Sequence, residues 1–302
     1  MKSSRRNFIQ SLGMVGAGIG ISAETFAHSS ENSAFPKPNG DDQQLFVGDD
    51  IAVTKTEYGK VRGFILRGIN QFLGIPYGAD TSGKNRFMPP QKPAPWVDIR
   101  PTLWWGNSAP QIMEKRYANT YASFVDHWNY DDVSEDCLKI NVWTPAIDTQ
   151  KRPVLVWLHG GGFVNGNAIE QDGYHGENIS RLGNIVFCSL NHRLGALGYT
   201  HLKAAGGHPA SGNVGNLDMV LALEWVKNNI VNFGGDPSNV TIMGQSGGGS
   251  KVTTLMNMPS AKGLFHKAVV LSGGSLAGVN KEYAEKLGQK VMEEAGLKNG
   301  EI

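Results

Sequence analysis

Four short apolar runs divide the middle of the chain, at residues 154–158, 185–190, 240–243 and 268–271. Each is apolar at nearly every residue, with only Ser189 and Thr241 polar, the pattern of a strand covered on both faces. Helical patterns lie between and after them. The clearest covers 216–229, where Leu217, Val220, Leu221, Leu223, Trp225 and Val226 make a broad apolar stripe. Another covers 281–297 and sets Tyr283, Leu287, Val291 and Ala295 on one face. Strands alternating with helices predict an α/β fold on a mostly parallel, doubly wound sheet. Upstream, the runs 51–56, 60–66 and 71–75 are β-prone and are separated by Gly59 and Gly68, which predicts a small antiparallel meander. The Pro- and Trp-rich stretch 88–105 predicts irregular backbone.

Composition removes several classes. A chain of 302 residues, 40% of them hydrophobic, can bury a full core. A net charge of +1 with no basic block argues against a nucleic-acid partner. The 39 glycines follow no three-residue period, so a collagen helix is excluded. Two cysteines cannot staple a chain of this size.

The first 27 residues read as a leader, not as part of the fold. Arg5-Arg6 precede Phe8, a weakly apolar stretch follows from Ser11 to Ala23, and small residues flank a cleavage point after Ala27. The paired arginines resemble a twin-arginine export signal, which predicts a periplasmic or extracellular location. Thirteen apolar-leaning residues with four glycines fall short of the ~20 that span a bilayer, so no stable membrane anchor is expected. Residues 28–50, rich in Ser, Asn, Pro, Gly and Asp, predict a flexible lead-in.

Two segments could carry chemistry. The first is the apolar run at 240–243 followed by Gly244-Gln245-Ser246-Gly247-Gly248 and a plausible helix start. Glycines two residues either side of a serine on a strand-to-helix turn let the two elements approach closely, as in a nucleophile elbow. The helix N-terminus there favours negative charge beside the serine oxygen. The five letters alone are weak, since the composition gives roughly a third of a chance match. A phosphate loop fails, because Ser250-Lys251 reverses the required Lys-Ser/Thr order. The Gly16, Gly18, Gly20 run follows no strand and lies in the leader, so it is no dinucleotide site. The second segment is His159-Gly160-Gly161-Gly162-Phe163, directly after the run at 154–158. Consecutive glycines can turn their N–H groups toward one point, as a tetrahedral acyl-transfer intermediate requires. A plain glycine turn explains a triplet by itself; the separate serine elbow downstream favours the donor explanation.

Together these motifs resemble the type-B carboxylesterases, the cholinesterase-like branch of the α/β-hydrolases. Further segments agree in order: Gly74-Ile-Pro-Tyr-Gly78, Arg86-Phe87-Met-Pro-Pro90, Ser134-Glu-Asp-Cys-Leu-Lys-Ile-Asn-Val-Trp143, Asn191-His-Arg-Leu-Gly195 and Asn229-Ile-Val-Asn-Phe-Gly-Gly-Asp-Pro237. The resemblance runs from about Ile51 to Ser275 and makes 51–302 the N-terminal part of such a domain. It implies an α/β-hydrolase fold, C-terminally truncated, and a serine hydrolase that cleaves small-molecule carboxylic esters. It makes Ser246 the acylated nucleophile and Gly161, Gly162 and Gly247 the oxyanion donors. Arg86 and Glu135 resemble a structural ion pair of the family. Two departures stand out. Gln245 replaces a frequent Glu, which disfavours cationic esters such as choline esters. Gly247 replaces a frequent Ala but still supplies an N–H. Many relatives pair the cysteine at the place of Cys137 with an upstream partner; residues 107–111 hold none, and Cys188 lies in an apolar run, so no disulfide is expected.

The serine also needs a base and an orienting acid, which follow it in this fold in the order Ser, Asp/Glu, His. After Ser246 the sole histidine is His266, in a segment that is structural in relatives. The carboxylates Glu282, Glu285, Glu293, Glu294 and Glu301 all come after it, so the order fails. The expectation is therefore a chain that lacks its acid and histidine. A non-catalytic cholinesterase-like binding module and an inactive truncated remnant are the alternatives. No metal cluster, flavin motif or nucleotide motif appears, so no cofactor is expected. Oligomeric state and the particular ester are not legible.

Overall fold

The computed structural model describes residues 44–112, 132–203, 206–275 and 277–298. The expected leader, the lead-in up to residue 43 and Glu301 lie outside them. The end of the lead-in departs from expectation: Leu45–Phe46 form a short strand, β1.

Val53–Thr56 (β2) and Gly59–Arg62 (β3) form a hairpin, and Phe64–Leu66 (β4) and Ile69–Pro76 (β5) form another. The pairing is antiparallel, as the meander required, but the run 60–66 is divided between two sheets. Gly63 makes the division: its N–H bonds Ala52 O, and a Cβ there would lie 2.1 Å from Gln71 O. Backbone crosses backbone at that point, and only glycine fits. The β2–β3 hairpin adds Arg100–Pro101 (β6) in a small sheet of three strands.

The main sheet has eight strands. It adds Lys139–Thr144 (β7), Arg152–Leu158 (β8), Val186–Leu190 (β9), Gly235–Gln245 (β10) and Lys267–Leu271 (β11), in the order β1-β4-β5-β7-β9-β8-β10-β11. Pairing is antiparallel from β1 to β9 and parallel along β9, β8, β10 and β11. Strand β7 carries no continuous apolar run because Asn141 interrupts it. That buried amide is bonded on both sides: its oxygen accepts from Gly74 N–H at 2.9 Å and its nitrogen donates to Ser189 Oγ at 3.1 Å.

The helices sit in the crossovers. Glu177–Gly183 (α1) joins β8 to β9, and Gly195–Tyr199 (α2) with Val214–Asn229 (α3) joins β9 to β10. Gly247–Asn257 (α4) joins β10 to β11, and Lys281–Glu294 (α5) closes the described chain. Helix α3 is buried well beyond a stripe, with Met219, Leu223, Trp225 and Val226 all in the core. In α5 the outcome reverses. Tyr283 and Leu287 are 62% and 47% exposed, while Gly288 and Met292 face inward. The cause is contact distance: a Cβ at Gly288 would lie 2.0 Å from His201 O, so the helix docks through its glycine.

Strand β8 lies between β9 and β10, so the chain leaves it to one side and then returns to the other. Such a reversal opens a crevice beyond the carboxyl ends of the strands. At the far margin β11 pairs only with β10 and all five residues are exposed, Val269, Val270 and Leu271 included. No helix among the described residues is long and apolar enough to cross a membrane.

One buried ion pair ties the layers together. Arg193, after β9, donates Nε and Nη2 to the Asp218 carboxylate of α3 at 2.9 and 2.6 Å, and Nη1 to Met88 O at 2.8 Å. Burial pushes the Asp218 carboxyl up, and the Arg193 bonds pull it back. Asp218→Ala would leave the guanidinium buried without its counter-charge. We expect a loss of about 3–5 kcal/mol in urea unfolding, and a loss near zero would refute this role.

Candidate active site

Ser246 stands between β10 and α4, in the left-handed region at φ 56° and ψ −123°. A residue with a Cβ reaches this conformation only when its surroundings hold it there. The brackets are identifiable. Ser246 N–H donates to Leu271 O of β11 at 2.9 Å, and Ser246 O accepts from Ser250 N–H at 3.2 Å. Gly273 crowds the same carbonyl, since a Cβ on it would lie 1.9 Å from Ser246 O. The flanking glycines do what their spacing predicted. A Cβ at Gly244 would meet Gly248 C at 2.4 Å, and one at Gly248 would meet Leu158 O at 2.1 Å. Ser246 itself is exposed.

The glycine loop follows β8 on the neighbouring strand. Gly161, Gly162 and Phe163 are all left-handed, with φ of 86°, 60° and 66°. Its carbonyls are held in turn: Gly161 O by Val164 and Asn165 N–H at 3.0 and 3.1 Å, and Phe163 O by Gly195 N–H at 2.8 Å. Gly160 O accepts from His159 Nδ1 at 2.9 Å. By contrast, no described residue accepts a hydrogen bond from the N–H of Gly161, Gly162 or Gly247.

The two segments meet. A Cβ built on Gly160 would stand 3.7 Å from Ser246 Cβ, and one on Gly247 would stand 2.3 Å from Gly162 N. Ser246, Gly161, Gly162 and Gly247 are thus gathered at the carboxyl ends of β8 and β10. An alanine at 247, the residue frequent in relatives, would require the loop backbone at Gly162 to shift. A cavity of about 820 Å³ opens beside the loop, lined by Gly162, Phe163, Tyr199, Asn216, Met258 and Leu287 among others.

The histidines lie elsewhere. His266 Nδ1 accepts from Val240 N–H at 3.1 Å and its own backbone N–H donates to Val240 O at 2.8 Å, at the middle of β10. Six residues of strand put it roughly 20 Å from Ser246. His192 donates Nδ1–H to Arg193 O at 2.8 Å and stacks on His159 with ring centroids 5.1 Å apart. Burial, with Lys251 adding to it, holds His192 far below the usual imidazole range, so it is neutral. None of the described histidines bonds Ser246. Arg86 and Glu135 form the expected pair, with Nε to Oε2 at 2.7 Å. Cys137 and Cys188 are both free and buried. No group of three or more His, Cys, Asp or Glu among the described residues is placed to hold a metal ion.

Lys251 was absent from the sequence-based candidates. It is fully buried on α4, with Nζ 2.8 Å from His159 O and 3.4 Å from Gly160 O. No local signal marks it, because its partners lie more than ninety residues upstream.

A strand-borne serine on a strained turn, beside a glycine loop on the next parallel strand, defines the α/β-hydrolase class. The profile of the carboxylesterase family matches residues 50–301, and the chain belongs to that family. It is 36% identical over 250 residues to the para-nitrobenzyl esterase of Bacillus subtilis, covering 83% of this chain and 49% of that one. It is 39% identical to carboxylesterase 1E of Rattus norvegicus, covering 82% and 45%. Among solved structures, an esterase of Clostridium hathewayi, described as able to hydrolyse aliphatic aromatic polyesters, superposes with a TM-score of 0.76 at 40% identity. That match covers 84% of this chain and 50% of the other. The Geobacillus stearothermophilus carboxylesterase EST55 gives 0.72 at 37% identity, covering 82% and 49%. The chain therefore spans about half the length of these relatives.

The close approach of α4 to β8 yields a test of the site's framework. Gly248→Ala places a methyl against Leu158 O, with backbone on both sides. We expect it to cost about 1–3 kcal/mol in thermal or urea unfolding. Gly278→Ala, where a Cβ meets nothing within 4 Å, serves as control and should cost far less. Equal losses in the two variants would contradict the packing described.

Proposed function

We propose that these residues form the nucleophile-bearing part of a serine esterase acting on carboxylic esters. Ser246 Oγ attacks the ester carbonyl, the alcohol leaves, and water then cleaves the acyl-serine. The N–H groups of Gly161, Gly162 and Gly247 receive the oxyanion of each tetrahedral intermediate, donors whose loss singly costs ~3 kcal/mol. The observation that carries this is the pairing of a left-handed, exposed Ser246 with three N–H groups that no described residue uses, on adjoining parallel strands. The names of the para-nitrobenzyl esterase and carboxylesterase relatives support the same reaction.

The general base and its acid are proposed to lie on polypeptide outside these 302 residues. His266 is committed to Val240, six residues along the chain from Ser246. The carboxylates of α5 come after it in the chain. Small esters with an apolar acyl or aryl group suit the cavity, whose walls include Phe163, Met258 and Leu287. Gln245 in place of a carboxylate makes a cationic ester a poorer fit. We further propose that residues 1–27 export the protein.

The test uses fluorophosphonate labelling and hydrolysis of p-nitrophenyl butyrate. A chain continued to the relatives' length should label at Ser246 and turn over substrate. Ser246→Ala should lower kcat by on the order of 10⁵–10⁶. The 302-residue chain alone, folded, should not label. Labelling of that short chain at Ser246 would show a base within it, and undiminished hydrolysis by Ser246→Ala would remove the serine from the mechanism.

A further inference from the structure

Lys251 is the residue near the site that neither the elbow nor the glycine loop requires. It lies on the fifth residue of α4 and is fully buried. A helical side chain slants toward its own N-terminus, so this one carries its ammonium back toward the positive end of the helix dipole. A cation is disfavoured there, and burial adds to the penalty. Burial in fact draws its pKa down to about 7, with Glu170 pulling the other way. A methionine of similar length would fill the same space without that penalty. Something other than packing has to account for the amine.

Its contacts are specific. Nζ donates to His159 O at 2.8 Å and to Gly160 O at 3.4 Å, and lies 3.5 Å from His159 Nδ1. The Phe163 ring centroid is 5.8 Å away. Because a carbonyl only accepts, His159 Nδ1 must be the donor in its 2.9 Å contact with Gly160 O. Two donors therefore converge on the Gly160 oxygen. That oxygen and the N–H of Gly161 belong to one planar, trans peptide unit, in which the two bonds point in opposite directions. Fixing the oxygen toward the buried amine fixes the Gly161 N–H away from it. No side chain at 160, 161 or 162 would otherwise resist the turning over of that plane. A hydrogen bond to the carbonyl also polarises the unit and makes its N–H a better donor.

We propose that Lys251 is a positioning residue of the oxyanion hole: with His159 it pins the Gly160 carbonyl and so aims the Gly161 N–H at the developing oxyanion. This rests on Ser246 being the nucleophile. Lys251 does not touch the reacting atoms and transfers no proton.

The experiment uses the active, full-length enzyme with Lys251→Met, Lys251→Gln and Ser246→Ala. Hydrolysis of p-nitrophenyl butyrate is compared with inhibition by an alkyl trifluoromethyl ketone, which adds to the serine as an oxyanion. We expect Lys251→Met to lower kcat about 10²-fold with KM within about threefold, and to weaken the ketone by a factor similar to the loss in kcat/KM. Lys251→Gln, which keeps an N–H donor, should recover part of both. A folded Lys251→Met with kcat and ketone affinity close to the parent's overturns the proposal. So does a loss confined to KM or to stability, which is what a purely structural lysine gives. If Lys251→Met does not fold, Lys251→Gln decides: kcat and ketone affinity reduced in step support the proposal, and any other pattern overturns it. An active Ser246→Ala would sink the serine mechanism itself, whereas an inactive one beside a normal Lys251→Met sinks only the role of the lysine.

Discussion

Two backbones pass within contact distance where α4 leaves β10 beside the end of β8, and most of the site follows from that approach. Leu158 O lies where a side chain at Gly248 would begin, and Gly162 N lies where one at Gly247 would begin. With glycine at both, the helix N-terminus seats directly against the neighbouring strand and its loop. The serine between them has no relaxed conformation left and takes the left-handed one. The cost of that conformation, about 1–3 kcal/mol, is carried by the parallel ladder along β9, β8, β10 and β11, which lies in well-buried sheet except at its outer margin. A sheet edge could not hold two loops in such close register; an interior pair such as β8 and β10 can.

Two deeply buried cations, Arg193 and Lys251, show two ways of accommodating charge. Arg193 meets a carboxylate with matching fork geometry, and its remaining nitrogen meets a carbonyl. It joins the segment after β9 to α3 and asks for nothing from the active site. Lys251 is bound to carbonyl dipoles of the loop that follows β8. Burial draws its pKa down to about 7, and carbonyl dipoles offset that less completely than the Asp218 carboxylate offsets the burial of the guanidinium, which stays charged.

The parts of this arrangement that are local in sequence were legible in it. Apolar runs gave β8, β9, β10 and β11, and the glycine spacing around Ser246 gave the elbow because strand, turn and helix start are contiguous. The glycine triplet after β8 was readable for the same reason. What failed to show depends on partners far away in the chain. Strand β7 carries a polar residue in a buried position, and only Gly74 and Ser189 explain it. The split at Gly63 reflects a crossing with Gln71, not a property of the run itself. Periodicity found the face of α5 that bears Tyr283 and Leu287 but assigned it no environment, since docking is set by a glycine against His201. Lys251 looked like the wrong letter in a phosphate loop; its meaning lies in a carbonyl ninety-one residues away.

The outermost strand has a consequence for the serine. Leu271 O takes the Ser246 N–H, and Gly273 packs on the Ser246 carbonyl, so the elbow is braced from the margin of the sheet as well as from its interior. That margin is the least protected part of the ladder, with every residue of β11 exposed. Fraying of β11 and relaxation of the left-handed serine are then linked equilibria. Whatever strand or solvent lies along that edge sets how much of the time the turn stays wound.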